Sequence, residues 1–196
     1  MKHAGIVVVL ALCTLPARGA QEVLAPSVQY ALTPIDSLPT RQELETVFAN
    51  QDPVIRLSQI AQDSTADFGV RLRAIRALPQ FCPLSSCNNT MLHDTLVTLI
   101  ESVVPGDHGG QTLLMLRAAI EALGVAKSGD PNDVSLLVPF LDNPSRDIRA
   151  AAARAMRDLC DPAAIPPLRA RYQNEQLEQV RLAISAALRD LGQCSP

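Results

Sequence analysis

The chain has no tryptophan, and aromatic residues make up only 3% of its 196 positions. A core without large rings must be filled by Leu, Val, Ile and Ala. Such side chains suit closely packed helices, because Ala lets helix axes approach and has the best helix propensity. Lysine is nearly missing as well: apart from Lys2 and Lys127, every Lys or Arg position is Arg. We read this as genome composition rather than as a site. Positive charge is not in excess, since 20 Asp and Glu face 17 Lys and Arg. A nucleic-acid or anionic-membrane partner wants clustered positive charge, so neither is expected. The chain also lacks a serine-nucleophile motif, a Gly-rich phosphate loop and a zinc-binding helix. Pro105-Gly106 to Gly110 has glycines but no strand before it, and reads as a turn. No catalytic residue, cofactor or metal is therefore expected.

Long hydrophobic runs are scarce too. The run from Ile6 to Leu15 follows Lys2 and His3 and precedes Pro16, Ala17, Gly19 and Ala20. It is too short for a transmembrane anchor, which takes roughly 20 residues, and has the layout of a secretory signal peptide over residues 1–20. Cleavage after Gly19 would put Ala17 and Gly19 at the small-residue positions. A lipid anchor on Cys13 is disfavoured, because bulky Leu12 stands where a small residue belongs. Losing residues 1–20 removes Lys2 and Arg18, leaving 15 basic against 20 acidic groups and a net charge of −5. It also leaves four cysteines, Cys82, Cys87, Cys160 and Cys194. An even count in an oxidising compartment favours two disulfides, with three connectivities open. The Arg- and Ala-rich, Lys-poor make-up and short leader read as bacterial, so the expected location is the periplasm or the cell exterior. The sequon Asn88-Asn89-Thr90 is then a chance match, and Asn89 or Thr90 caps the helix that follows.

Residues 21–39 carry Pro26, Pro34 and Pro39 without sustained periodicity and read as an extended arm. Thr40-Arg41-Gln42-Glu43 is a capping box that opens the domain, residues 40–196. Asp-Pro then occurs three times, at Asp52, Asp130 and Asp161, each Asp an N-cap and each Pro at the first helical position. An apolar or small residue at relative positions 0, 4, 7, 8 and 11 follows after 18, 18 and 19 residues, led by Val70, Ile148 and Val180. A fourth such set is led by Met115. That spacing is one face of a helix, and a fixed offset from a helix start marks a tandem array of helical hairpins. Arg71, Arg149 and Arg181 follow the lead residue in three sets, whereas Leu116 stands there in the fourth. The leads are 45, 33 and 32 residues apart. The surplus in the first interval falls in Cys82–Asn89 and Pro105–Gln111, around an apolar helix from Thr90 to Val104.

Val-Arg-x-x-Ala-x-x-Ala-Leu-x-x-Leu followed by Asp-Pro-x-x-Ile-Pro-x-Leu resembles HEAT repeats, particularly the short HEAT-like type first described in phycobiliprotein lyases. The match is best over Ile148 to Leu168, then Val180 to Gly192, and extends more loosely back to residue 50. The resemblance implies an all-α, right-handed α-solenoid of about four to five HEAT-like hairpins, with a concave face that binds a protein or peptide. Deoxyhypusine hydroxylases of this family hold iron with His-Glu dipeptides, and none occurs here. The lyases handle bilins, which an exported chain would not meet. In such a solenoid Cys160 and Cys194 emerge at one edge of neighbouring parallel helices, so they are expected to pair and clip the last helix. Cys82 and Cys87 would then pin the inserted loop.

Partner-binding candidates are polar groups on the Asp-Pro helices and the long apolar helix: Arg56, Asp94, Glu101, Arg169, Arg171 and Tyr172. Arg and Tyr are favoured in binding hot spots. His93 beside Asp94 and His108 beside Asp107 are expected to be solvated or capping. The expected function is an exported, non-catalytic scaffold. An accessory enzyme subunit, a small hydrolase using His93 or His108, and a structural envelope component are the alternatives.

Overall fold

The computed structural model describes residues 24–34, 36–82, 87, 89–103 and 109–194. The leader over 1–20, the start of the arm and His108 lie outside these. Among the described residues the ordered elements are helices, with no strands.

Within the expected arm, Pro26–Ala31 forms a short helix, α1. Proline at the first position sets φ for a helical start, and Val28 and Leu32, one turn apart, are both buried. Helix α2 (Arg41–Phe48) opens on the capping box: the Thr40 hydroxyl accepts from the Glu43 N–H, and the Thr40 N–H donates to Glu43 Oε2 at 2.7 Å.

Four hairpins follow, each a first helix and a return helix. They are α3 (Pro53–Gln62) with α4 (Phe68–Ala77), and α5 (Thr90–Glu101) with α6 (Gly110–Ala126). Next come α7 (Asp133–Leu137), extended by a 3₁₀ turn at Val138–Asp142, with α8 (Arg146–Leu159), then α9 (Ile165–Asn174) with α10 (Glu178–Leu191). We call the first helices the A row and the returning ones the B row. The Val70, Met115, Ile148 and Val180 sets all fall on the B row. There α4 packs on α6, α6 on α8, and α8 on α10.

The caps explain where the A helices begin. Asp52 Oδ1 accepts from the N–H groups of Val54 and Ile55, and Asp161 Oδ1 accepts from Ala163. At the second Asp-Pro the helix starts later than expected, because Asp130 accepts from Asn132 in a turn and α7 begins at Asp133. Asn89 caps α5 through Leu92.

Helix α8 sits at the centre of the B row, covered by α6 on one side and α10 on the other. Ala150, Ala151, Ala152 and Ala153 are all fully buried. The approach to α6 is so close that a Cβ on Gly124 would lie 2.6 Å from Ala155 Cα. Only glycine fits there. Leu116, which breaks the Arg pattern, is buried in the core instead.

Candidate partner-binding surface

The arginine after each lead residue faces inward to the backbone. Arg71 Nε donates to the Ala61 carbonyl at 3.3 Å. Arg149 donates to the carbonyls of Asn143 and Pro144 at 2.9 and 3.0 Å. Arg181 donates to those of Tyr172 and Glu175 while stacking over the Tyr172 ring. Each satisfies carbonyls that the end of the A helix or the turn after it leaves without a helical partner.

Arg149 does more. It binds buried Glu175 through two nitrogens at 2.7 and 3.1 Å. Glu175 also receives Arg171 at 2.8 Å and the N–H groups of Gln176 and Leu177 at 3.0 Å. Arg171 in turn reaches Asp142. Burial raises the Glu175 pKa, but the hydrogen bonds from Arg149, the Leu177 N–H and Arg171 outweigh it and hold the group at about 2. The cluster ties α8, α9 and the start of α10 together.

The solvent side of the B row carries a different pattern. Arg76, Glu121 and Arg154 each stand six positions beyond the lead residue of their helix. Glu121 receives Arg117 at 2.8 Å and lies 3.5 Å from Arg154 across the α6–α8 boundary. This gives a row of partly exposed arginines around one carboxylate.

The six candidates read from the sequence sit on the A row: Arg56 on α3, Asp94 and Glu101 on α5, and Arg169, Arg171 and Tyr172 on α9. No contact joins them into one site among the described residues, although Arg169, Arg171 and Tyr172 share α9. Arg171 and Tyr172 are engaged inside the chain, Arg56 is half-buried and donates to Gln59, and Asp94, Glu101 and Arg169 are exposed. Asp94 borders a cleft of about 340 Å³ between α3 and α5, with Gln62, Met91 and Thr98.

Sequence reasoning missed Asp133, Glu121 and Glu175. It also expected His93 to be solvated or capping. The structure instead places His93 Nε2 2.8 Å from Oδ1 of buried Asp133, whose other oxygen accepts from Ser128. The reason is tertiary: Asp133, rather than capping α7, turns toward α5. Burial lowers the His93 pKa, yet the Asp133 hydrogen bond and the charges of Asp133, Asp130 and Asp94 raise it above 6.5 overall. The Ser128 hydroxyl donates to the Asp133 carboxylate. His108 lies outside the described residues.

Cys82 and Cys87 lie within disulfide distance, Cα to Cα 4.7 Å, and so do Cys160 and Cys194, at 5.8 Å. Among the described residues no group of three His, Cys, Asp or Glu is placed to hold a metal. No described helix is long and apolar enough to cross a membrane.

Residues 114–189, which run from α6 into α10, match HEAT repeats, and this supports the HEAT-repeat family for that part of the chain. HEAT repeats generally serve as helical scaffolds for protein interactions rather than as enzymes. No curated protein matches the chain.

Proposed function

We propose that the protein is an exported, non-catalytic scaffold: a right-handed α-solenoid that binds a protein or peptide on its concave side. The observation that carries this reading is the continuous B row. Between α6 and α8 its helices pack close enough to require Gly124 against Ala155, whereas the A row opens clefts at Asp94 and between the Val138–Asp142 turn and α9; a further cleft, at Phe68, Leu99 and Met115, lies among α4, α5 and α6. In a curved stack the row with the closer neighbours is the inner one. The face offered to a partner is then that of Arg76, Arg117, Glu121 and Arg154, prearranged so that little ordering entropy is lost on binding. Two cysteine pairs at bonding distance support an oxidising compartment, and with it export to the periplasm or cell exterior.

The exposed A-row residues Asp94, Glu101 and Arg169 form a second proposed surface, favoured by the cleft beside Asp94. Cross-linked pull-down from the native host separates the two. The reading expects a stoichiometric partner that is lost with Arg117→Glu plus Arg154→Glu and kept with Asp94→Arg plus Arg169→Glu. The reverse pattern moves the site to the A row, and turnover of a small molecule by the pure protein overturns the scaffold.

A further inference from the structure

The far face of α10 is open. Gly124, nine positions beyond the lead residue of α6, meets Ala155, seven beyond that of α8. The side of a B helix that carries positions two, five and nine therefore faces the next helix. On α8 these are Ala150, Ala153 and Arg157, and both alanines are fully buried. On α10 they are Leu182, Ser185 and Arg189, all exposed, Leu182 to 61%. No described helix packs there. Glu178, also exposed, completes the stripe, since residues 178, 182, 185 and 189 fall on one side of a helix.

This stripe is its own complement. Laid antiparallel to a copy of itself about an axis between Ala183 and Ile184, Glu178 falls opposite Arg189 of the second copy, and Leu182 opposite Ser185. The Glu178–Arg189 charge pair is formed twice, once from each chain, as an isologous contact requires. Half-buried Ala183 and Ala186 flank the stripe and leave room for close approach. Among the described residues Arg189 pairs with its neighbour Asp190, at 3.2 Å, and its side chain is 70% exposed, so it can reach a second copy.

We propose that the open face of α10 is a homodimer contact in which two copies pair α10 against α10, antiparallel, through Glu178–Arg189 bridges around the two Leu182 side chains. The partner is a second copy of this chain, and the contact is independent of whatever binds the rest of the B row.

Sedimentation equilibrium of the purified protein tests it. The mass should rise with concentration from one chain to two and stop there. Glu178→Arg and Arg189→Glu should each weaken the dimer at least about tenfold by setting like charges face to face. The double variant Glu178→Arg plus Arg189→Glu should restore it, and circular dichroism should show the same helix content in all four proteins. A single-chain mass at every concentration overturns the proposal. So does a dimer indifferent to the single reversals, a double variant that fails to recover, or growth past two chains, which would mean head-to-tail stacking.

Discussion

Among single side chains, Glu175 has the most to lose. Its carboxylate is buried yet ionised because Arg149, Arg171 and two backbone N–H groups converge on it. Removing one member of a buried pair leaves the other charge without a partner. Glu175→Gln should therefore cost about 3 kcal/mol in chemical denaturation. Its folded pKa of about 2 lies below the ordinary glutamate value of 4.5. The stability it supplies is thus complete above 4.5 and lost as pH falls from there toward about 2, a slope that Glu175→Gln should flatten. His93 has the opposite sign. Its folded pKa is raised above 6.5, so its contribution is complete below 6.5 and lost as pH climbs through the raised value. Denaturation midpoints across that range should fall in the native protein and stay level in His93→Ala. Neither partnership was legible in the sequence, because Arg149–Glu175 and His93–Asp133 span 26 and 40 residues and obey no period.

For the helices, the sequence is a good guide where periodicity governs. The 0, 4, 7, 8, 11 pattern marks the B row because a helix with one long buried face must repeat its apolar positions. The Asp-Pro start holds at Asp52, opens a 3₁₀ turn at Asp161 (Pro162–Ala164) ahead of α9, and slips by two residues at Asp130, where a turn takes the carboxylate first. Helix α1 escaped notice because six residues show too little of a period. Gly124 also gives no sign of its role, since only the neighbouring helix makes it necessary. Gly124→Ala improves helix propensity by about 1 kcal/mol, but the added carbon would meet backbone at 2.6 Å and force α6 from α8. The clash should prevail, with a net loss of about 1–2 kcal/mol by thermal or chemical unfolding. A gain in stability would mean the helices are farther apart than described.

Over the whole molecule, α10 is the least covered helix of the described B row. It packs on α8 and α9, no other described helix covers its far side, and it is held by the Glu175 cluster and by Cys160 meeting Cys194. If these cysteines are bonded, closing a loop with a sequence separation of 34 should contribute roughly 3–4 kcal/mol by chain entropy. Replacing both with Ser should lower stability by that order and speed hydrogen exchange first in α10, with α6 and α8 little changed. Both cysteine pairs, expected from the resemblance to HEAT repeats together with the repeat spacing, lie at bonding distance. The choice of face was not legible, since sequence places Arg56, Asp94, Glu101, Arg169, Arg171 and Tyr172 on helices without saying which row curves inward. The central claim is that the B helices lie side by side around α8 with an aliphatic interior. Its most direct test is the nuclear Overhauser contact between the Gly124 α-protons and the Ala155 methyl group. A strong cross-peak is expected, and its absence from an assigned spectrum would contradict the account.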